Sequence, residues 1–208
     1  MGRRAVVIQT SFLLLRRRRQ RYVLDVTIST YWKVPFEWTS PNPPEHDPQR
    51  PGWRWTTGSE SATPIELVAA VLASSPGPED HRIVDELGAE DAARRTLGLS
   101  PGFSYLAARW HVLMVGDEPA GFVLPVVYDG SARDGLDEAT IYHMCVAPAH
   151  RGAGVGRALL RRATRLLVDH GVWRIFCDTP EANEPMIHLF GQEGWTRLPR
   201  HERPISGA

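Results

Sequence analysis

The stretch "HMCVAPAHRGAGVGRALLRRATRLL", residues 143–167, sets Arg151, Gly152, Gly154 and Gly156 between an apolar run and a helical one. In a strand-loop-helix unit the first backbone N–H groups of the helix have no intrahelical partner, and they point outward with the positive end of the helix dipole. Such a terminus binds anions. Glycines leave out the Cβ that would keep a bulky diphosphate from the backbone, and Arg151 can add a charge-assisted contact. The spacing narrows the ligand. A Walker loop needs a Lys and then Ser or Thr after its last glycine, and no lysine lies here. A Gly-x-Gly-x-x-Gly dinucleotide loop starting at Gly152 fails because position 157 is Arg157. The remaining alternatives are a different kind of phosphate cradle and a tight turn that binds nothing.

The elements around this loop follow from periodicity. Residues 139–148 read as a strand ended by Pro148. After the glycines, Val155, Leu159, Ala163, Leu166 and Leu167 line one side of a helix, Arg157, Arg161 and Arg165 step along another, and Gly171 stops it. "VWRIFCDTP" is a buried-type strand, and "NEPMIHLFGQEGW" a short helix with Met186, Ile187 and Phe190 inward. Upstream, residues 22–32 alternate with period two and predict a half-buried strand. Residues 39–53 carry prolines that exclude regular structure. A helix opens at Thr63 and Pro64, a second helical stretch covers 79–97, and residues 110–130 predict a hairpin around Gly116-Asp117-Glu118-Pro119. This order predicts an α/β fold: a mixed, twisted central sheet flanked by helices, with a right-handed crossover. Residues 1–50 read as an N-terminal extension with one or more strands and a Pro-rich loop, and 51–208 as the main domain.

The whole chain sets outer limits. It has 208 residues, 42% hydrophobic and 23% charged, which is ordinary for a folded globular protein. Its 24 basic and 24 acidic side chains balance, so no global field draws in nucleic acid or an anionic membrane. Cys145 and Cys177 lie in apolar runs without a Cys-x-x-Cys spacing, which suggests neither zinc nor a disulfide scaffold and predicts a metal-free protein of a reducing, cytoplasmic compartment. The apolar residues 5–15 are too few to span a bilayer, and they meet the arginines of 16–21 where a secretory signal would have a cleavage site.

"VAPAHRGAGVGRALL" resembles the acetyl-CoA signature of the GNAT superfamily of N-acetyltransferases: Arg151, Gly154 and Gly156 match its Arg/Gln-x-x-Gly-x-Gly/Ala core, and Val146 and Pro148 the strand end before it. Asn183, Gly194 and Trp195 match a second family element, an Asn that opens a helix ending in Gly-aromatic. The resemblance implies a GNAT-like fold and acetyl-CoA as donor, its diphosphate on the backbone of Gly152, Ala153, Gly154, Val155, Gly156 and Arg157. Its pantetheine arm would run between splayed strands 139–147 and 172–178, with the amides of Cys145 and Val146 polarising the thioester, and Asn183 and Phe190 on the cofactor side. A primary amine of a small molecule or peptide would attack directly in a ternary complex.

Phe190 stands where the family's usual acid is a Tyr, so another group must serve or the thiolate must leave to solvent. Tyr142 is a candidate acid, and Glu138 and His143 candidate bases. Period two puts Tyr142 and His143 on opposite faces, so both reach the acetyl group only across a bulge. A covalent route through Cys145, and a catalytically silent acyl-CoA-binding module, are the rival readings. Only 13 residues follow Trp195, enough for one strand near 195–199 but too few for a closing hairpin, and the N-terminal strands are expected to cover that sheet edge within the chain or across a homodimer.

Overall fold

A computed structural model describes residues 30–45, 50–57, 65–75, 77–106 and 110–205. Among these residues the strands β1 (Thr30–Trp38), β2 (Trp53–Thr57), β3 (Phe103–Tyr105), β4 (His111–Val115), β5 (Glu118–Tyr128), β6 (Asp137–Val146), β7 (Val172–Pro180), β8 (Thr196–Arg197) and β9 (His201–Pro204) form one sheet. Its order is β2-β4-β5-β6-β7-β1-β8, with β3 on β5 and β9 on β1. The helices are α1 (Ile65–Leu72), α2 (Pro78–Leu87), α3 (Ala89–Leu97), α4 (Val155–His170) and α5 (Glu184–Gln192). The mixed α/β sheet expected from the pattern is present. β6 and β7, joined by α4, are its parallel pair.

Two layers of helix bury the two faces. Leu67, Val68, Leu72, Ala92, Ala93 and Leu97 of α1 and α3 close over Val112, Phe122, Leu124 and Val126. On the other face, Val155, Ala158, Leu159 and Ala163 of α4 pack on Leu113, Ala120 and Val123. Gly121 makes that approach possible: a Cβ there would stand 2.7 Å from the Cys145 carbonyl and 2.8 Å from Leu159 Cδ1. The helical stretch expected over 79–97 is two helices, because Gly88 takes φ 79° and its N–H caps α2 on the Val84 carbonyl. Thr63, Pro64 and most of the strand expected at 22–32 lie outside the described residues; the observed strand is 30–38.

β1 adds to the outer edge of β7 in antiparallel register from Lys33↔Pro180 to Trp38↔Ile175. The sequence left this edge to the N-terminal part of the chain, and β1 covers it within the chain. The C-terminal residues form two short strands instead of the one expected near 195–199, and both pair with β1. Phe36 at its centre is 1% exposed and stacks on Phe190 of α5, ring centroids 4.6 Å apart.

His111, at the start of β4, is buried between β2 and β5, and its Nδ1 has no hydrogen-bond partner among the described residues. Desolvation, aided by the Arg162 charge, lowers its pKa to about 4. The unfolded chain therefore binds the extra proton between about 6.5 and 4, so the stability that neutral His111 supports is complete above 6.5 and is lost as pH falls. We expect a loss of order 2 kcal/mol across that window from this group. Urea unfolding at pH 7.5 and 4.5 should show a smaller pH dependence for His111→Leu than for the parent; equal dependence would acquit His111.

Candidate active site

β6 and β7 are paired only at one end. Their parallel register runs through Asp137↔Val172, Glu138↔Arg174 and Ala139↔Ile175 and then stops, although β6 continues to Val146 and β7 to Pro180. β1 follows β7 through to Pro180, holding it as it diverges from β6. Between the two strands lies a wedge. The buried Cys177 thiol fills its closed end, receiving the Ile141 N–H at 3.4 Å, and desolvation pushes its pKa up to about 12.

β5 shapes the other side of β6. The ladder shifts register between Leu124 and Pro125, pairing Leu124 with His143 and Pro125 with Ile141, so Tyr142 is the extra residue of a β-bulge. Pro125 has no N–H to give a ladder, which is why a proline is tolerated here. The bulge brings Tyr142 and His143 to the same face. Tyr142 meets Phe103 edge-on at 5.1 Å, and His143 stacks on Phe122 at 5.6 Å, both within the layer under α1 and α3. Pro125, inside an otherwise regular strand, was the sequence signal for this bulge.

Beyond the bulge, the Ala147 N–H donates to Ala120 O at 2.9 Å. Antiparallel alternation then assigns Cys145 to the hydrogen-bonded pair with Phe122 and leaves the N–H groups of Met144 and Val146 turned to the wedge. Of the two amides named by resemblance, that of Val146 faces the wedge and that of Cys145 is turned to β5; the Met144 amide, absent from the sequence expectation, faces the wedge with Val146. Register across strands decides this, and one strand's sequence does not contain it. The Cys145 thiol is buried and its pKa is raised far by desolvation, which disfavours the thiolate a covalent route needs.

At the mouth of the wedge the chain makes a short 3-10 turn, Pro148–His150, and then the glycine loop. Gly152 and Gly154 take φ 77° and 87°, a left-handed conformation that side chains resist. Gly154 is the N-cap of α4, and among the described residues no N–H from Gly152 to Arg157 donates to an acceptor outside the helix. The amides of Val155, Gly156 and Arg157 are unsatisfied donors of the helix's first turn and those of Gly152–Gly154 lead into it, a run of donors that fits an anionic diphosphate. Gly156 lies close to Val146 and Leu189, where a Cβ would stand 3.6 and 3.5 Å away. Val155 is buried against the sheet and Ala153 is exposed.

The side chains at the loop divide by partner. Arg157 and Arg161 both bind the Glu193 carboxylate, at 2.8 and 2.5 Å, tying α4 to the end of α5. Arg151 donates to Ser74 Oγ at 2.8 Å, just after α1, so it stays at the lip of the loop. Asn183 caps α5 with its carbonyl, which accepts from Met186 and Ile187.

The remaining candidates sit along β6 and in α5. Phe190 is 3% exposed, held between Phe36 and Trp195 in the core. Glu138 stands at the closed end of the wedge, about 20 Å along β6 from Met144 at the usual strand rise. Its carboxylate binds Arg174, which also approaches Glu37 at 3.7 Å, a strut across β6, β7 and β1. The Tyr142 hydroxyl pairs with Ser100 Oγ at 3.0 Å and accepts the Ser100 N–H at 3.2 Å. His143 is desolvated, which lowers its pKa from the ordinary value while the Asp80 charge opposes the shift. Among the described residues no group of His, Cys, Asp and Glu is arranged to hold a metal ion, and no helix is long and apolar enough to cross a membrane.

Comparison with known proteins agrees with this geometry. Residues 66–195 match the profile of the Acetyltransferase (GNAT) family. A stretch of 56 residues is 36% identical to streptothricin acetyltransferase of Streptomyces lavendulae, covering 27% of this chain and 30% of that protein. Among solved structures, the chain resembles a GCN5-related N-acetyltransferase from Sphaerobacter thermophilus, with a TM-score of 0.53, 17% identity and coverage of 86% of this chain and 53% of that one. It also resembles a tandem GNAT protein from the clavulanic acid biosynthesis pathway, with a TM-score of 0.55, 15% identity and coverage of 87% and 56%. The chain thus spans about half the length of these structural relatives, and at such identities they share its fold.

Proposed function

The chain belongs to the acetyltransferase (GNAT) family, and from that premise we propose that it moves an acetyl group from acetyl-CoA to a primary amine by direct attack in a ternary complex. The observation that carries this reading is the parallel pair β6–β7, bonded only at 137–139 and open beyond, leading to a loop of unsatisfied amides at Gly152–Arg157. An opening between strands accepts a slender arm, and the loop accepts its anionic end.

When bound, acetyl-CoA supplies an acetyl group activated as a thioester. The backbone from Gly152 to Arg157 holds the diphosphate, with Arg151 beside it. The N–H groups of Met144 and Val146 are fixed donors for the thioester carbonyl, and fixed donors stabilise developing negative charge without reorganising. His143 is the group we assign to take the proton from the incoming ammonium, directly or through water. Its lowered pKa keeps it neutral and proton-accepting near pH 7. Glu138 instead holds the strands together at the closed end, and Tyr142 fixes the bulge through Ser100. Phe190 has no proton to give, so the departing thiolate is left to solvent. The acceptor we favour is the primary amine of a small molecule; the relative matched over 56 residues is named streptothricin acetyltransferase.

The test is a panel of primary amines with acetyl-CoA and a thiol reagent. Amine-dependent release of free coenzyme A supports transfer. If acetyl-CoA raises the melting temperature while no amine accelerates thiol release, the chain is an acyl-CoA-binding module. Once an acceptor is known, kcat/KM should fall as pH drops through the lowered His143 value, below 6.5, because protonated His143 cannot accept a proton. His143→Gln should lower kcat and abolish that acidic limb, whereas a retained limb would move the base elsewhere.

A further inference from the structure

Arg50 lies between β1 and β2, outside the residues that match the family profile. Its guanidinium nevertheless reaches the glycine loop, where Nη1 donates to the Ala153 carbonyl at 2.8 Å. A Cβ built on Gly154 would stand 3.0 Å from Arg50 Nη2 and 3.1 Å from Nη1. Two features hold the side chain there. The guanidinium lies over the Trp53 ring, 4.6 Å from its centroid, and the Trp53 N–H closes a tight turn on the Arg50 carbonyl at 3.0 Å. The turn is itself pinned to the β4–β5 hairpin by the Gly116 N–H on Gly52 O, 2.8 Å. Unlike Arg157 and Arg161, Arg50 has no carboxylate partner among the described residues.

From this placement, and resting on the cofactor reading above, we propose that Arg50 is a ligand to the diphosphate of coenzyme A. A guanidinium offers a planar fork of N–H donors that matches two phosphate oxygens, and here one neutral carbonyl occupies it. Stacking on Trp53 removes most of the side chain's freedom before the ligand arrives, so little ordering remains to be done on binding. The loop amides come from the start of α4 and the Arg50 guanidinium from the turn before β2, beside Gly154. The cradle is thereby built from two parts of the chain far apart in sequence.

Calorimetric titration of the full-length protein tests this with coenzyme A, dephospho-coenzyme A, which keeps the diphosphate and lacks the 3′-phosphate, and pantetheine, which has no phosphate. Arg50→Ala is expected to weaken coenzyme A and dephospho-coenzyme A alike, about tenfold or more, to leave pantetheine unchanged, and to flatten the salt dependence of binding. Arg50→Gln separates the charge from a purely structural bond to Ala153 O, since glutamine can still donate to that carbonyl. Affinity lost in both variants supports the proposal; recovery in Arg50→Gln overturns it. A loss confined to coenzyme A would place Arg50 on the 3′-phosphate and overturn the diphosphate assignment. If the parent binds coenzyme A and Arg50→Ala binds it equally, this inference alone fails; if the parent does not bind it, the cofactor reading fails first.

Discussion

Gly154→Glu is expected to weaken acetyl-CoA binding at least a hundredfold while the protein still folds. Gly154 sits at φ 87° and ψ 1° as the N-cap of α4, so any side chain there costs about 1 kcal/mol of backbone strain. That cost alone should lower the melting temperature by about 2–4 °C in a chain of this size. The larger effect is electrostatic. A carboxylate at this point faces the amides meant for the diphosphate and also meets the Arg50 guanidinium, so it fills the site with the wrong ligand and neutralises its nearest cation. Gly154→Ala is the control, carrying the same strain without the charge, and should lose about tenfold. Titration calorimetry with a melting curve on each variant separates the two causes. Parent-like affinity in Gly154→Glu would reduce the loop to a turn that binds nothing.

The parts of this site that a single sequence discloses are those set by local backbone demands. Gly154 and Gly171 bound α4 because both take left-handed conformations, and the apolar stripe between them is a local repeat. The hairpin at Gly116-Asp117 is equally local. What was not legible depends on partners distant along the chain. Residues 22–32 signal a strand by clean alternation and lie mostly outside the described residues, whereas β1 runs on through Val34, Pro35 and Phe36, a continuous buried run under two neighbouring strands that period two does not reveal. β2 is short, and its Trp and Arg residues gave no clear period. The choice between Cys145 and Met144 as wedge-facing amide needs the β5 register, and the Tyr142 bulge needs Pro125 to be read against β6. Arg50 gave no signal at all. What marks it is a contact with Ala153 across more than a hundred residues, from a segment whose prolines exclude regular structure.

Phe36→Ala is expected to be the most destabilising single change in the N-terminal part of the chain, by about 3–5 kcal/mol, the usual cost of emptying a fully buried phenylalanine site. For a chain of this length that corresponds to a fall in melting temperature of about 6–20 °C. Phe36 occupies the point where β7, β8 and α5 meet: it pairs with Cys177 on one side and Arg197 on the other, and its ring lies on Phe190. Removing it leaves Phe190 without a face to stack on and loosens α5, whose far end holds Arg157 and Arg161 through Glu193. Phe190 is spent on docking β1, its ring held between Phe36 and Trp195. Coenzyme A affinity should therefore fall in parallel with stability, and Phe36→Leu, which refills much of the volume, should recover most of both. A Phe36→Ala protein that melts within about 2 °C of the parent would show that β1 is an appendage on the edge of the sheet instead of part of the core that spreads the wedge.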